Sequence, residues 1–74
     1  MNEFKISREI YSKIILAISD KKLKQKDVAK ALNIKPQTFS DNLNKLKSGK
    51  FISLTTLLEL QTFLETDLGI NFFN

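Results

Sequence analysis

The sequence predicts an all-α fold, a compact bundle of four to five helices within one small domain. Three observations carry this expectation. Apolar residues recur at three- and four-residue spacing in four separate stretches, the period of a helix face. The single proline and the first of the two glycines fall between those stretches, where helices start and stop. None of the 74 residues is a cysteine, so the chain depends on packing and on whatever subunit it pairs with.

The first helix is expected over residues 7–22, SREIYSKIILAISDKK, with Ile10, Tyr11, Ile14, Ile15 and Ile18 on one face. Ser7 suits the N-cap, because its hydroxyl accepts a free first-turn amide. Ile6 before it can staple onto Tyr11. KQKDVAKAL, residues 24–32, reads as a second, short helix. Val28, Ala29 and Leu32 share its face, and Leu23 packs from the preceding turn. Asn33 tolerates the left-handed conformation that ends many helices.

Pro36 fixes the start of the next helix. Inside a helix, proline removes a hydrogen bond and clashes with the preceding turn, costing roughly 3 kcal/mol. At the first helical position it carries no such penalty. A third helix therefore starts at Pro36 and runs to about Leu46, burying Phe39, Leu43 and Leu46. Lys35 is pushed out of helical geometry by the proline after it and becomes the cap residue. The linker is Asn33-Ile34-Lys35, with Ile34 pointing back into the core. Two short helices joined this tightly form a helix-turn-helix, in which Ala29 is the small residue that permits close contact. Gly49 stops the third helix. Ser53 can cap a fourth over residues 54–65, LTTLLELQTFLE. That helix is apolar on more than one face, so it is central to the core or shared with another chain. The final DLGINFFN keeps two readings. Asp67 can cap a short fifth helix, or Ile70 and Phe72 can alternate with polar neighbours as in a strand or extended tail. NEFKI alternates in the same way through Phe4 and Ile6, so the two ends can pair.

The formal charge of +4 is unevenly spread. Residues 1–20 are neutral. Residues 21–50 hold nine lysines against Asp27 and Asp41, and residues 51–74 hold three acids and no basic group. Such a block fits polyanion binding and a solvated lysine face about equally. Without histidine or cysteine a zinc site is excluded. There is also no glycine-rich phosphate loop and no clustered carboxylate pair, so no enzyme, cofactor, metal or small-molecule ligand is expected. No apolar run approaches the roughly 20 residues a membrane span needs. MNEFKIS lacks the pattern of a signal peptide, and the cytoplasm is the expected location.

The segment LKQKDVAKALNIKPQTFSDNL resembles the lambda-repressor-like, or Cro/CI-type, helix-turn-helix family. The matching residues are Gln25, Ala29 four positions later, Asn33 and Ile34 at the turn, and Phe39 and Ser40 beyond it. KSGKFISL, which leads into the fourth helix, also matches. The likeness covers roughly residues 8 to 64. This chain departs from the family pattern in having Asn33 for glycine and Lys35 for serine or threonine. It also has Pro36 where a polar, DNA-reading side chain is common.

The resemblance implies a sequence-specific, double-stranded DNA-binding transcriptional regulator of bacterial or phage type, more often a repressor. In such a motif the second helix enters the major groove N-terminus first. Base readout would fall to Gln37, Thr38, Asp41 and Lys35, on a face that also carries Asn42. A glutamine amide can donate and accept to one adenine, and a carboxylate can accept from a cytosine amine. Backbone contacts would come from Gln25, Lys26, Asn44, Lys45, Lys47, Ser48 and Lys50. Duller roles are open too: Gln25 can cap the second helix, Asp41 can pair with Lys45, and Ser40 can simply pack. A homodimer is expected, because one small domain reads few bases. Its candidate interface is Leu64, Leu68, Ile70, Phe72 and Phe73, largely in the tail 65–74. It would set two recognition helices about 34 Å apart over an inverted repeat. The competing expectation is a protein-interaction module that keeps this shell and inhibits another regulator. Pro36 and Asp41 favour it, and the lysines disfavour it.

Overall fold

A computed structural model describes residues 3–69, which form four helices and no strand. They are α1 (Glu3–Asp20), α2 (Gln25–Ala31), α3 (Pro36–Lys47) and α4 (Leu54–Leu64). The long α1 packs against both α3 and α4, while α2 packs on α3. Each helix gives its apolar stripe to one core. It contains Ile10, Ile14, Ala17 and Ile18 from α1, Val28 and Ala29 from α2, and Phe39, Leu43 and Leu46 from α3. Leu57, Leu60 and Leu64 come from α4, and Leu68 from the segment after it. The radius of gyration is 11.5 Å, against the about 11 Å of a compact chain this long.

The start of α1 differs from the sequence expectation. The helix begins at Glu3, so Ser7 lies inside it, fully buried, and is not an N-cap. Its hydroxyl donates to the Phe4 carbonyl oxygen at 3.1 Å, the back-bonding of a mid-helix serine. The Ile6–Tyr11 staple goes with the cap. Phe4 and Ile6 are helical rather than strand residues, because Ile6 continues the face of Ile10 and Ile14 at four-residue spacing. The N-terminal half of the expected strand pair is therefore absent.

All four helices end in the same way. A residue just past the last helical turn takes a left-handed conformation in each case: Lys22 (φ 57°), Asn33 (φ 59°), Gly49 (φ 94°) and Glu65 (φ 52°), the last being the C-cap itself. Its N–H and the next one fold back onto carbonyls of the last turn. Ile34 donates to Ala29 at 3.0 Å, Lys50 to Lys45 at 2.8 Å, Leu23 to Ile18 at 3.0 Å and Thr66 to Gln61 at 3.3 Å. This satisfies carbonyls that would otherwise lack a partner, and it reverses the chain sharply. Leu23 and Ile34, the residues after the left-handed one, pack on the core.

Beyond α4 no fifth helix forms among the described residues. Asp67 instead closes a local turn, its Oδ1 accepting from the Gly69 N–H at 2.7 Å. Leu68 is buried and donates its N–H to Gln61 Oε1 at 3.0 Å. Ile70, Phe72 and Phe73 lie outside the described residues. No described helix is long and apolar enough to cross a membrane.

Candidate functional site

The 3.6-residue period sorts α3 into two faces. Phe39, Leu43 and Leu46 are buried, which leaves Gln37, Thr38, Asp41, Asn44 and Lys45 exposed. Asn42 is half-buried, as is Ser40, which fits the packing role for Ser40. The helix starts at Pro36, with Lys35 extended (φ −73°, ψ 146°) before it and no side chain capping its first turn. The junction is thus built as Pro36 and Asn33 dictate. The leading end of α3 is an exposed tip on a rigidly packed rod, with Lys35 beside it.

Lysines gather around that tip. Lys26, Lys30 and Lys35, with Asn33, Ile34, Pro36 and Thr38, line an open groove of about 650 Å³ between α2, the turn and α3. No carboxylate lines it. Asp27 is engaged elsewhere: its Oδ2 accepts from the Lys24 N–H at 2.9 Å and so closes the start of α2. Lys24 is therefore the cap residue of α2, and Gln25, expected to cap, is the exposed first residue of the helix. A cationic groove with hydroxyl and amide donors at its rim can hold a strand of anionic groups. The sequence alone points to Lys26, Lys35 and Thr38 in this region, but Lys30 emerges only from the structure. Its signal is a spacing: Lys30 follows Lys26 by four residues and shares its face.

Gln37 and Asp41 are coupled. Gln37 Nε2 donates to Asp41 Oδ1 at 3.0 Å, and no ion pair joins Asp41 to Lys45. The expected Asp41–Lys45 pair is replaced by a bond to the preceding turn. A glutamine amide has two N–H donors and a carbonyl acceptor. One N–H is used here. The amide keeps a second N–H and its Oε1, the donor and acceptor types that pair with adenine.

A second cluster lies at the far end of α3. Asn44, Lys45, Lys47, Ser48 and Lys50 flank one corner, which the left-handed turn at Gly49 forms. Ser48 Oγ donates to the Lys45 carbonyl at 3.0 Å, which fixes the corner. Of the expected residues, Lys26, Lys35 and Thr38 line the first groove and these five flank the second corner, while Gln25 is exposed at the start of α2 and Gln37 on the outer face of α3. α3 is the ruler between them.

The expected dimer residues fare differently. Leu64 and Leu68 are buried in the chain's own core and have no surface to give a partner. The reason is the reversal at Glu65, which folds Leu68 back beside Gln61. The exposed apolar side chains of α4 are instead Leu54 and Phe63, on opposite flanks of the helix. Phe63 lines a groove with Leu58, Glu59 and Thr62 of α4 and with Ala31 and Leu32 at the end of α2. No protein-family model, curated protein or solved structure matches the chain.

Proposed function

We propose that the chain is a sequence-specific double-stranded DNA-binding transcriptional regulator of the Cro/CI type, acting as a repressor. In this reading α2 and α3 are a helix-turn-helix, and the exposed tip of α3 enters the major groove. The observation that carries it is the tip itself: Gln37, Thr38 and Lys35 are exposed on a helix whose opposite face is locked in the core, with a lysine-lined groove alongside. Base contacts fall to Gln37, Thr38, Asp41 and Lys35. Phosphate contacts fall to Gln25, Lys26 and Lys30 on one side and to Asn44, Lys45, Lys47, Ser48 and Lys50 on the other. The bond that Gln37 donates to Asp41 orients its amide before DNA arrives, which lowers the entropy cost of readout. A homodimer on an inverted-repeat operator is part of the proposal, because one tip spans too few base pairs for a unique site.

Selection of binding sites from a random duplex pool tests this directly. The expected result is a two-fold symmetric consensus that Gln37→Ala no longer selects, while the variant keeps its helical circular dichroism. Duplex binding with no salt dependence, or none at all, would refute it, since several phosphate contacts impose a log–log slope of about −0.9 each.

One observation favours a second reading, a protein-interaction module. Asp41 puts a carboxylate in the middle of the exposed face of α3, and Gln37 is bonded to it. A basic protein partner would suit that carboxylate. Co-elution of such a partner that persists with excess competitor DNA would select this reading over the first.

A further inference from the structure

Arg8 lies outside the lysine-rich middle of the chain, yet the fold brings it to the far end of α3. The connection is Phe4. Its ring lies over Gly49, where an added Cβ would overlap ring Cδ1 and stand 2.9 Å from Cε1 and Cγ. Only glycine leaves room for the ring, and Gly49 is also the left-handed residue that turns Lys50 back toward Lys45. Arg8 is one helical turn after Phe4, and its guanidinium carbon is 5.2 Å from the centroid of the same ring. That is cation–π distance. Phe4 is 47% exposed, so its burial alone does not account for its position. It is a platform that touches a glycine and carries a cation.

A guanidinium carries its N–H donors in one plane as a fork, the geometry that matches two oxygens of one phosphate. Held over the Phe4 ring, the exposed Arg8 keeps that fork at the surface. On either side of Gly49 stand Lys47, Ser48 and Lys50.

We propose that Arg8 is a phosphate-binding residue of the same edge as Lys47, Ser48 and Lys50, and that Phe4 is the residue that positions it. The proposal rests on the duplex-binding function above. It extends the contact surface from α2 and α3 onto α1, through a residue that charge clustering in the sequence does not single out.

The test is binding of the full chain to a double-stranded DNA fragment of arbitrary sequence over a salt series, followed by fluorescence anisotropy. Arg8→Gln should weaken binding and flatten the log–log salt slope by about 0.9, the loss of one phosphate contact. Arg8→Lys should restore most of that slope. Phe4→Leu should weaken binding when Arg8 is present and add nothing in the Arg8→Gln background. A purely structural role for Phe4 would weaken both backgrounds equally, which would overturn its assignment as a positioning residue. If Arg8→Gln leaves the slope intact while Lys47→Gln flattens it, Arg8 is not on the edge and the duplex-binding function stands. If the unmodified chain shows no salt-dependent binding, both fall together.

Discussion

α3 and α4 are nearly equal in length, and each buries three large apolar side chains, yet they differ at their starts and on their outer faces. α4 begins at Ser53, whose hydroxyl accepts from the Thr56 N–H at 3.5 Å, so the helix caps itself. α3 begins at Lys35 and Pro36 with no side-chain cap. The outer surface of α4 carries Thr55, Glu59 and Thr62, with Leu54 and Phe63 exposed on its two flanks and no cation in the helix. The outer surface of α3 carries amides, hydroxyls, a carboxylate and lysines. A helix that only supports a core gains by satisfying its own ends. One that forgoes that gain and gathers positive charge at its tip suits contact with something outside the chain, and this difference supports the proposed contact surface on α3.

The two faces of α3 can be separated by mutation. Phe39 is fully buried, and Phe39→Ala should destabilise the fold by about 3–5 kcal/mol through lost burial and a cavity. In a domain this small that approaches the whole stability, so urea denaturation should show little or no native baseline. Thr38 is exposed next to it, and Thr38→Ala should leave the urea midpoint nearly unchanged. Equal losses at both positions would mean that α3 has no free face.

Asp41→Ala addresses the coupling on the exposed face. Removing the carboxylate frees the Gln37 amide and also removes a negative charge that, in the proposed complex, would face DNA phosphates. Affinity for arbitrary duplex should rise, while preference for the selected site should fall about tenfold, the order of one bidentate base contact. Competition binding reads both. A parallel rise in both affinities would show that Asp41 acts through charge alone.

The helix starts offer a reciprocal pair of about 1 kcal/mol each. Ser53→Ala should lower the melting temperature by a few degrees, since a domain of this size shifts about 4–8 °C per kcal/mol. Lys35→Ser should raise it, because residue 35 already has the extended backbone of a cap and a hydroxyl would supply the missing acceptor. The same substitution should weaken duplex binding. A Lys35→Ser protein that is more stable and binds DNA as before would remove Lys35 from the site.

These contrasts also explain what the sequence could reveal. The α2–α3 junction was legible because Pro36 and Asn33 have strong local preferences, and the structure follows both. The cap at Ser53 and the core residues Phe39, Leu43 and Leu46 were legible for the same reason. The start of α1 was not. Ser7 is as good a cap as Ser53 by type, and what buries it inside the helix is packing by residues distant in sequence. Phe4 seated on Gly49 is such a contact, spanning most of the chain. The sequence ended the first and fourth helices at Lys22 and Glu65, within two residues of where they stop. The left-handed backbone of those two residues was not legible, because neither side chain favours that region. The Gln37–Asp41 bond competed with an equally spaced Asp41–Lys45 pair, and sequence spacing cannot choose between two i, i+4 partners.

The smallest effects are expected where α1 and α4 end side by side. Lys21 Nζ stands 3.7 Å from Glu65 Oε1, with the glutamate side chain 80% exposed. An ion pair this long and this wet contributes little, and Lys21→Gln should change stability by less than about 0.5 kcal/mol. Glu65 also carries the left-handed backbone at the end of α4, a conformation that costs an L-residue roughly 1–2 kcal/mol. Glu65→Gly deletes the same ion pair but relieves that strain, against a smaller loss from the freer unfolded chain. The two variants should therefore part company in a thermal melt. Lys21→Gln should melt with the unmodified protein, and Glu65→Gly slightly above it. If Glu65→Gly melts lower instead, and 1 M salt lowers the unmodified protein to match it, the ion pair outweighs the backbone. The end of α4 would then depend on charge in addition to the backbone hydrogen bonds that close all four helices.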